Sequence, residues 1–410
     1  MNALMRNIMD QALALNDRAA STVSNAFDWL FLREILVKSG MTPYETVYTG
    51  DPMTLRFYPL PHDSTIDAGD GSQIPVIRER CPVPLVLVPP LGVTTETFDL
   101  MPQRSLARYM AASGFHTYLV DWGKPEKRHA HLGMKDYADD MLGKALETVR
   151  DHSGSQEVSL MGWCMGGLLI LMHAGLKKDP NIRNIITVAS PIDMRGGGIV
   201  ARSAAAMNAP ARLIRKFSNF RLHNLNPSWL HAPGWMTTLS FKMTDPVGSI
   251  TTYWDLVTRL WDREFVESHT TTSDYLNNML LYPGGVIQDM VVKMAVDNKL
   301  AEGRIEIGDE VAEMSAITSN FLVFAGERDT LVPPDIAHRS VELVSSRDKE
   351  FVIAPGGHMG VILGSKAQKA VWSITADWLR KRSQGESIDS EANRAVARAL
   401  LRQAADDPTI

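Results

Sequence analysis

Val158-Ser-Leu-Met-Gly-Trp-Cys-Met-Gly-Gly167 decides how this chain is read. Four residues of a short apolar strand run into Gly162-Trp-Cys-Met-Gly-Gly167, and an apolar helix opens behind them. The pattern Gly-x-nucleophile-x-Gly, between a strand and a helix, makes a tight strained turn that exposes its central side chain. Glycine has no Cβ, so the flanking positions relieve the crowding that such a turn creates. The central residue is Cys164, placed at a helix N-terminus where free N–H groups and the helix dipole favour negative charge. A thiolate is the reactive form of cysteine, so this position favours a nucleophile. A buried inert cysteine is the bland alternative, and the strand–turn–helix context argues against it.

Working outward, the same kind of strand recurs. Apolar runs at 84–90, 115–121, 158–161, 185–189, 321–325 and 351–354 alternate with helix-like stretches at 100–113, 134–151, 165–176 and 334–345. Short continuous apolar strands alternating with helices indicate a mostly parallel, doubly wound sheet covered on both faces, the α/β class. One interval, 192–315, breaks the rhythm and reads as an inserted helical cap. Its Trp229, Trp235, Trp254, Trp261 and many methionines suit either an apolar substrate surface or the cap's own core. The expected organisation is an N-terminal helical segment at 1–45, a catalytic core at 46–191 and 316–382, the cap, and a tail at 383–410. The segment 59–84 reads as loop or weak strand. Residues 391–404 read as a short amphipathic helix behind a hinge.

The chain order supplies partners for Cys164. Asp329 follows the strand at 321–325, and His358 follows the strand at 351–354. Nucleophile, acid, histidine is the order of the α/β-hydrolase triad. His358 is expected to move the proton, and Asp329 to fix the imidazole tautomer and stabilise its charged form. Glu327 is a weaker candidate acid because it lies closer to the strand end. His129, His131 and His338 lie in polar sequence and read as solvated. An oxyanion hole needs the N–H after the nucleophile, Met165, and a second N–H from the loop Pro89-Pro-Leu-Gly92. Prolines have no N–H, so Leu91 is the first available donor, with Gly92 behind it.

Composition limits what else the chain does. It has 410 residues, 45% hydrophobic and 22% charged, with a net charge of −5 and two cysteines. Such a chain is neither disordered nor basic enough for a nucleic-acid partner. Two cysteines make neither a disulfide framework nor a cysteine-rich metal site, so no metal is expected. The longest apolar stretch falls short of a membrane span, and charges interrupt the first twenty residues, so a cytoplasmic location without a secretory signal is expected. Cys81, flanked by proline, reads as incidental. The helix expected from residue 2 to about 39 carries Phe27, Trp29, Leu30, Phe31 and Leu32, which require a partner surface on this chain or another.

The set of motifs resembles the polyhydroxyalkanoate synthase family. Gly162-Trp-Cys-Met-Gly-Gly167 is similar to its modified lipase box. Thr42-Pro-Tyr-Glu-Thr-Val-Tyr48, Tyr118-Leu-Val-Asp-Trp-Gly123 with Asp136-Tyr137, Asp329-Thr-Leu-Val-Pro-Pro334 and Pro355-Gly-Gly-His-Met-Gly360 resemble its other motifs in the same order. The resemblance covers roughly 40–190 and 317–380 and is nearest the short two-subunit class. The loop Leu91-Gly-Val-Thr-Thr-Glu-Thr-Phe98 departs from the Asn-plus-aromatic of many synthases, and the cap matches loosely. The resemblance implies polymerisation of (R)-3-hydroxyacyl-CoA with release of CoA, and acyl-CoA as substrate with no resident cofactor. It implies that Cys164 carries the acyl chain as a thioester. Asp329 is implied to support His358 or to help activate the incoming 3-hydroxyl. Implied partners are a polyester granule surface and a second copy or second synthase subunit. The competing expectations are a cysteine-dependent hydrolase of the same fold, acting as polyester depolymerase or thioesterase, and a non-catalytic granule- or subunit-binding protein.

Overall fold

The computed structural model describes residues 3–69, 71–196, 225–244 and 246–383. The amphipathic stretch expected at 391–404 and part of the expected cap, 197–224, lie outside them.

Eight strands form one sheet: β1 (Glu45–Thr49), β2 (Thr54–Tyr58), β3 (Leu85–Val88), β4 (Thr117–Asp121), β5 (Val158–Trp163), β6 (Ile182–Val188), β7 (Asn320–Gly326) and β8 (Lys349–Ala354). Their order is β1-β2-β4-β3-β5-β6-β7-β8. β1 and β2 are antiparallel to each other, and β2 is antiparallel to β4. From β4 to β8 every pair is parallel. The apolar runs of β3, β5 and β7 are buried on both faces, as continuous rather than alternating hydrophobicity requires.

Successive residues serve opposite layers. Val86, Val88, Leu160 and Val323 point into a cluster with α3 (Leu142–Ser153), α4 (Met165–Lys177) and α8 (Pro334–Leu343). Leu85, Leu87, Met161 and Phe324 point into a second cluster with α2 (Leu106–Ala112) and α9 (Ser373–Ser383). Each fully buried side chain of this size contributes about 1.5–3 kcal/mol, so the two-sided sheet is the rigid body on which everything else is mounted.

Between β6 and β7 the described chain is mainly helical, with α5 (Gly234–Thr244), α6 (Pro246–Thr258) and α7 (Arg263–Asn277). The stretch 253–265 is divided between two helices. α6 stops at Thr258, and Asp262 caps the start of α7 by accepting the Phe265 N–H at 3.1 Å. The interval also holds a hairpin, Arg304–Ile307 with Glu310–Glu313, that packs on α4. A methyl on Gly175 would stand 2.8 Å from the Glu313 carbonyl oxygen. Trp229, Trp235, Trp254 and Trp261 are exposed rather than forming a core for the cap.

Other local expectations shift for local reasons. The helix expected from residue 100 begins at Leu106, because Asp99–Met101 pairs with Arg104–Ser105 first. Ser105 Oγ then caps it from the Arg108 N–H at 3.0 Å. The segment 59–84 contains a two-strand ribbon, Thr65–Asp67 with Gln73–Pro75. α1 (Ala3–Phe31) and a short turn, Arg33–Leu36, form the N-terminal helical segment. It docks on α7 and the turn before it: Asn25 Nδ2 donates to the Leu260 carbonyl at 2.8 Å, and Arg263 pairs with Asp28 at 2.5 Å. Val23, Phe27, Leu30 and Phe31 remain exposed.

Candidate active site

The loops leaving the carboxyl ends of β3, β5, β7 and β8 converge, as they must in an open parallel sheet. β5 ends at Trp163, and Cys164 follows with φ +52° and ψ −119°, a left-handed conformation that costs a non-glycine residue energy. Its backbone N–H is anchored on the Val188 carbonyl of β6 at 2.8 Å. The glycines of the motif have a measurable purpose. A methyl on Gly162 would lie 2.5 Å from the Gly166 carbonyl carbon, and one on Gly166 would lie 2.0 Å from the Val88 oxygen. The first turn of α4 is therefore pressed against the end of β3, and Cys164 is lifted between them, half-buried.

His358 and Asp329 come together beside it. Asp329 Oδ2 lies 2.8 Å from His358 Nδ1, with both side chains buried. The other carboxylate oxygen, Oδ1, accepts the N–H groups of Leu331 and Val332 at 2.9 and 2.8 Å. Both oxygens of Asp329 are thus occupied, and Nδ1 carries the proton toward the carboxylate. Burial works against charging His358, but the facing Cys164 and the bonded Asp329 outweigh it and raise its pKa to about 10. The His358 ring also lies 5.1 Å from the Trp163 ring, and Trp163 Nε1 donates to the His358 carbonyl at 3.2 Å. Glu327, the weaker acid candidate, is exposed, so the acid position beside the histidine is filled by Asp329 alone.

Leu91 lies in the loop after β3, and Met165 at the first turn of α4. Among the described residues neither backbone N–H donates to another backbone group, which leaves both available to an oxyanion. Gly92, with φ +79°, makes the tight turn there.

Several residues of the site carried no signal of their own in the sequence. Tyr275, on α7, bonds Thr97 Oγ1 at 2.6 Å, and Tyr282 bonds the Leu91 carbonyl at 2.6 Å. Burial pushes both phenols up, followed for Tyr282 by Cys164 nearby; for Tyr275 the Thr97 bond opposes the rise, and Glu96 and then Cys164 add to it. Trp122 Nε1 donates to the Pro89 carbonyl at 2.8 Å. Tyr282 stands just before Pro283-Gly-Gly285, and that turn signal was the one available hint. The solvated reading of His129 is corrected. It is buried, with Nε2 3.0 Å from Asp51 Oδ1 and Nδ1 accepting the Glu126 N–H, because the chain folds Asp51 over it. His131 is exposed, and His338 is half-buried with its ring edge-on to Phe351 at 4.8 Å between centroids. Among the described residues no group of three or more His, Cys, Asp or Glu side chains could hold a metal ion. Nor is any described helix long and apolar enough to cross a membrane.

Comparison with known proteins follows the same lines. The chain is 27% identical over 394 residues to the poly(3-hydroxyalkanoate) polymerase subunit PhaC of Haloferax mediterranei, covering 95% of this chain and 73% of that protein. It is 27% identical over 347 residues to the protein of the same name from Allochromatium vinosum, covering 84% of this chain and 90% of that one. A soluble variant of the Saccharomyces cerevisiae monoglyceride lipase aligns over 84% of this chain and 96% of its own, at 14% identity and a TM-score of 0.49. The family model for the alpha/beta hydrolase fold matches residues 84–365, from the first parallel strand past His358. With that match over most of its length, on a sheet of the required order, the chain belongs to the α/β-hydrolase fold family.

Proposed function

We propose that the chain is a polyhydroxyalkanoate synthase-like acyltransferase that polymerises (R)-3-hydroxyacyl-CoA through a thioester on Cys164. The observation that carries this reading is a cysteine, rather than a serine, in the strained turn facing His358 and Asp329. Moving an acyl group from CoA to cysteine exchanges one thioester for another and keeps it activated. The two relatives named as polymerase subunits support the same reading.

In this mechanism the Cys164 thiolate attacks the thioester carbonyl, with the oxyanion received by the N–H groups of Leu91 and Met165. The bond to CoA breaks, and the CoA sulfur takes its proton from His358 Nε2. The 3-hydroxyl of the next unit then attacks the enzyme thioester, giving its proton to His358 as the Cys164 C–S bond breaks. Cys164 next attacks the CoA thioester of the lengthened chain and CoA leaves. Asp329, bonded to Nδ1, holds the imidazole so that Nε2 faces the sulfur.

No resident cofactor enters this scheme, and acyl-CoA is substrate. The exposed apolar side chains of α1 and the exposed tryptophans of the helices between β6 and β7 suit a polyester granule surface, a second copy or a second synthase subunit. A cytoplasmic, granule-associated protein fits this reading. The test is purified protein supplied with short- and medium-chain 3-hydroxyacyl-CoA. CoA release together with high-mass polyester is expected, and Cys164→Ala should abolish both. Release of free 3-hydroxy acid alone would overturn the reading in favour of a cysteine hydrolase.

A further inference from the structure

The loop Pro89-Pro-Leu-Gly92 is held by its carbonyls from two sides. On the core side, Trp122 Nε1 donates to Pro89 O at 2.8 Å. On the other side, a strap over residues 280–285 supplies two donors. The Leu280 N–H reaches Gly92 O at 2.8 Å, and the Tyr282 hydroxyl reaches Leu91 O at 2.6 Å. The Tyr282 ring lies close against the turn: a methyl on Gly92 would stand 2.1 Å from its Cε2. These bonds hold the peptide planes on both sides of the Pro90–Leu91 peptide, and so restrict the direction of the Leu91 N–H that this peptide carries.

The strap is itself wedged in place by close backbone approach. Ala232 and Tyr282 exchange hydrogen bonds at 3.2 and 2.9 Å, and the Gly285 N–H donates to Ala130 O at 2.9 Å. Methyls on Gly284 and Gly285 would stand 1.7 Å from Pro227 O and 2.5 Å from Leu132 O. The strap therefore bridges the helical interval between β6 and β7 to the core, and it meets the core at the oxyanion loop.

We infer that Tyr282 is a positioning residue that sets the oxyanion hole, so that the hole is complete only while the strap is seated on Leu91 and Gly92. The inference rests on the acyl-transfer reading of Cys164, though not on the substrate being a CoA thioester or the product a polymer.

The test separates a step that builds an oxyanion from one that does not. Acylation of Cys164 by p-nitrophenyl butyrate passes through a tetrahedral oxyanion. Alkylation by iodoacetamide is a displacement at saturated carbon and needs only the thiolate. Tyr282→Phe keeps the ring on Gly92 and removes the donor. The acylation rate should fall about tenfold or more, while the alkylation rate stays within about twofold of the parent. Trp122→Phe, which frees the Pro89 carbonyl on the core side, should show the same split. Equal falls in both rates, or no change in either, would overturn the inference. Failure of the parent protein to be acylated at all would overturn it together with the cysteine nucleophile. A chain that hydrolyses the ester without ever making polymer leaves it standing and removes only the polymerase reading.

Discussion

Asp329 and His358 are joined by a single hydrogen bond of 2.8 Å, from Nδ1 to Oδ2, inside a shell that admits almost no water. The carboxylate is oriented independently of the histidine by the Leu331 and Val332 N–H groups on its other oxygen. On folding the imidazole gains Cys164 facing it and Asp329 bonded to it, and together they favour its charged form in the native state despite burial.

A pH dependence of stability follows. The histidine pKa rises from 6.5 to about 10 on folding. A group whose pKa is higher in the folded state stabilises it fully below the unfolded value, and this contribution is lost as pH rises through the folded value. Urea unfolding of the parent and of His358→Gln should differ by a constant amount below about pH 6.5. The parent's advantage should shrink steadily toward about pH 10. An advantage that grows with pH would contradict the ion-paired site.

The two cysteines should behave differently. Cys81 is 5% exposed, and burial pushes its thiol up, whereas Cys164 is half-buried at the turn. Iodoacetamide should label one thiol in the native protein and both after unfolding in denaturant. Cys81→Ser should retain turnover at a stability cost of about 1 kcal/mol. Loss of turnover in a folded Cys81→Ser protein would show that Cys164 is not the sole functional cysteine.

The motif glycines are ranked by what surrounds them. A methyl on Gly166 meets the Val88 oxygen at 2.0 Å and the Pro89 backbone at 2.9 Å, and neither can rotate away. One on Gly167 meets Ser190 Oγ at 2.1 Å. That hydroxyl makes no hydrogen bond among the described residues, so it is free to turn. Gly166→Ala should cost about 3 kcal/mol or more, and Gly167→Ala about 1 kcal/mol. Because Val88 leads into the oxyanion loop, any Gly166→Ala protein that still folds should also lose acylation. Equal unfolding midpoints for the two variants would refute the ranking.

What sequence reading could reach divides along the range of the forces involved. The strands ending at Trp163 and Gly326 are largely apolar, the one ending at Ala354 closes on the apolar run 351–354, and the turn glycines sit at fixed spacing from Cys164, so local pattern was enough. Asp329 and His358 were legible because parallel strands deliver their exit loops to one end of the sheet. Tyr275 and Tyr282 were not, since their bonds to Thr97 and Leu91 depend on how distant helices dock. His129 failed for the same reason, its partner being Asp51 across the chain. The start of α2 failed through a small ribbon whose pairing competes with helix.

The N-terminal helix offers the last test. Its large apolar residues suggested that they would do the docking, but Val23, Phe27, Leu30 and Phe31 are all more than half exposed. Polar groups make specific contacts instead. Asn25, 4% exposed, donates to Leu260 O, and Arg263 Nη1 sits 2.5 Å from Asp28. Trp29 adds an apolar contact near Leu256 and Val266. Removing Asn25 leaves the Leu260 carbonyl without its donor, at about 1 kcal/mol, and the half-exposed Arg263 pair adds less than about 1 kcal/mol. An Asn25→Ala/Asp28→Ala protein should therefore show faster amide exchange throughout α1, while β5 and β7 keep their protection. Unchanged exchange in α1 would mean that its apolar side, covered by another copy or another chain, holds the helix in place.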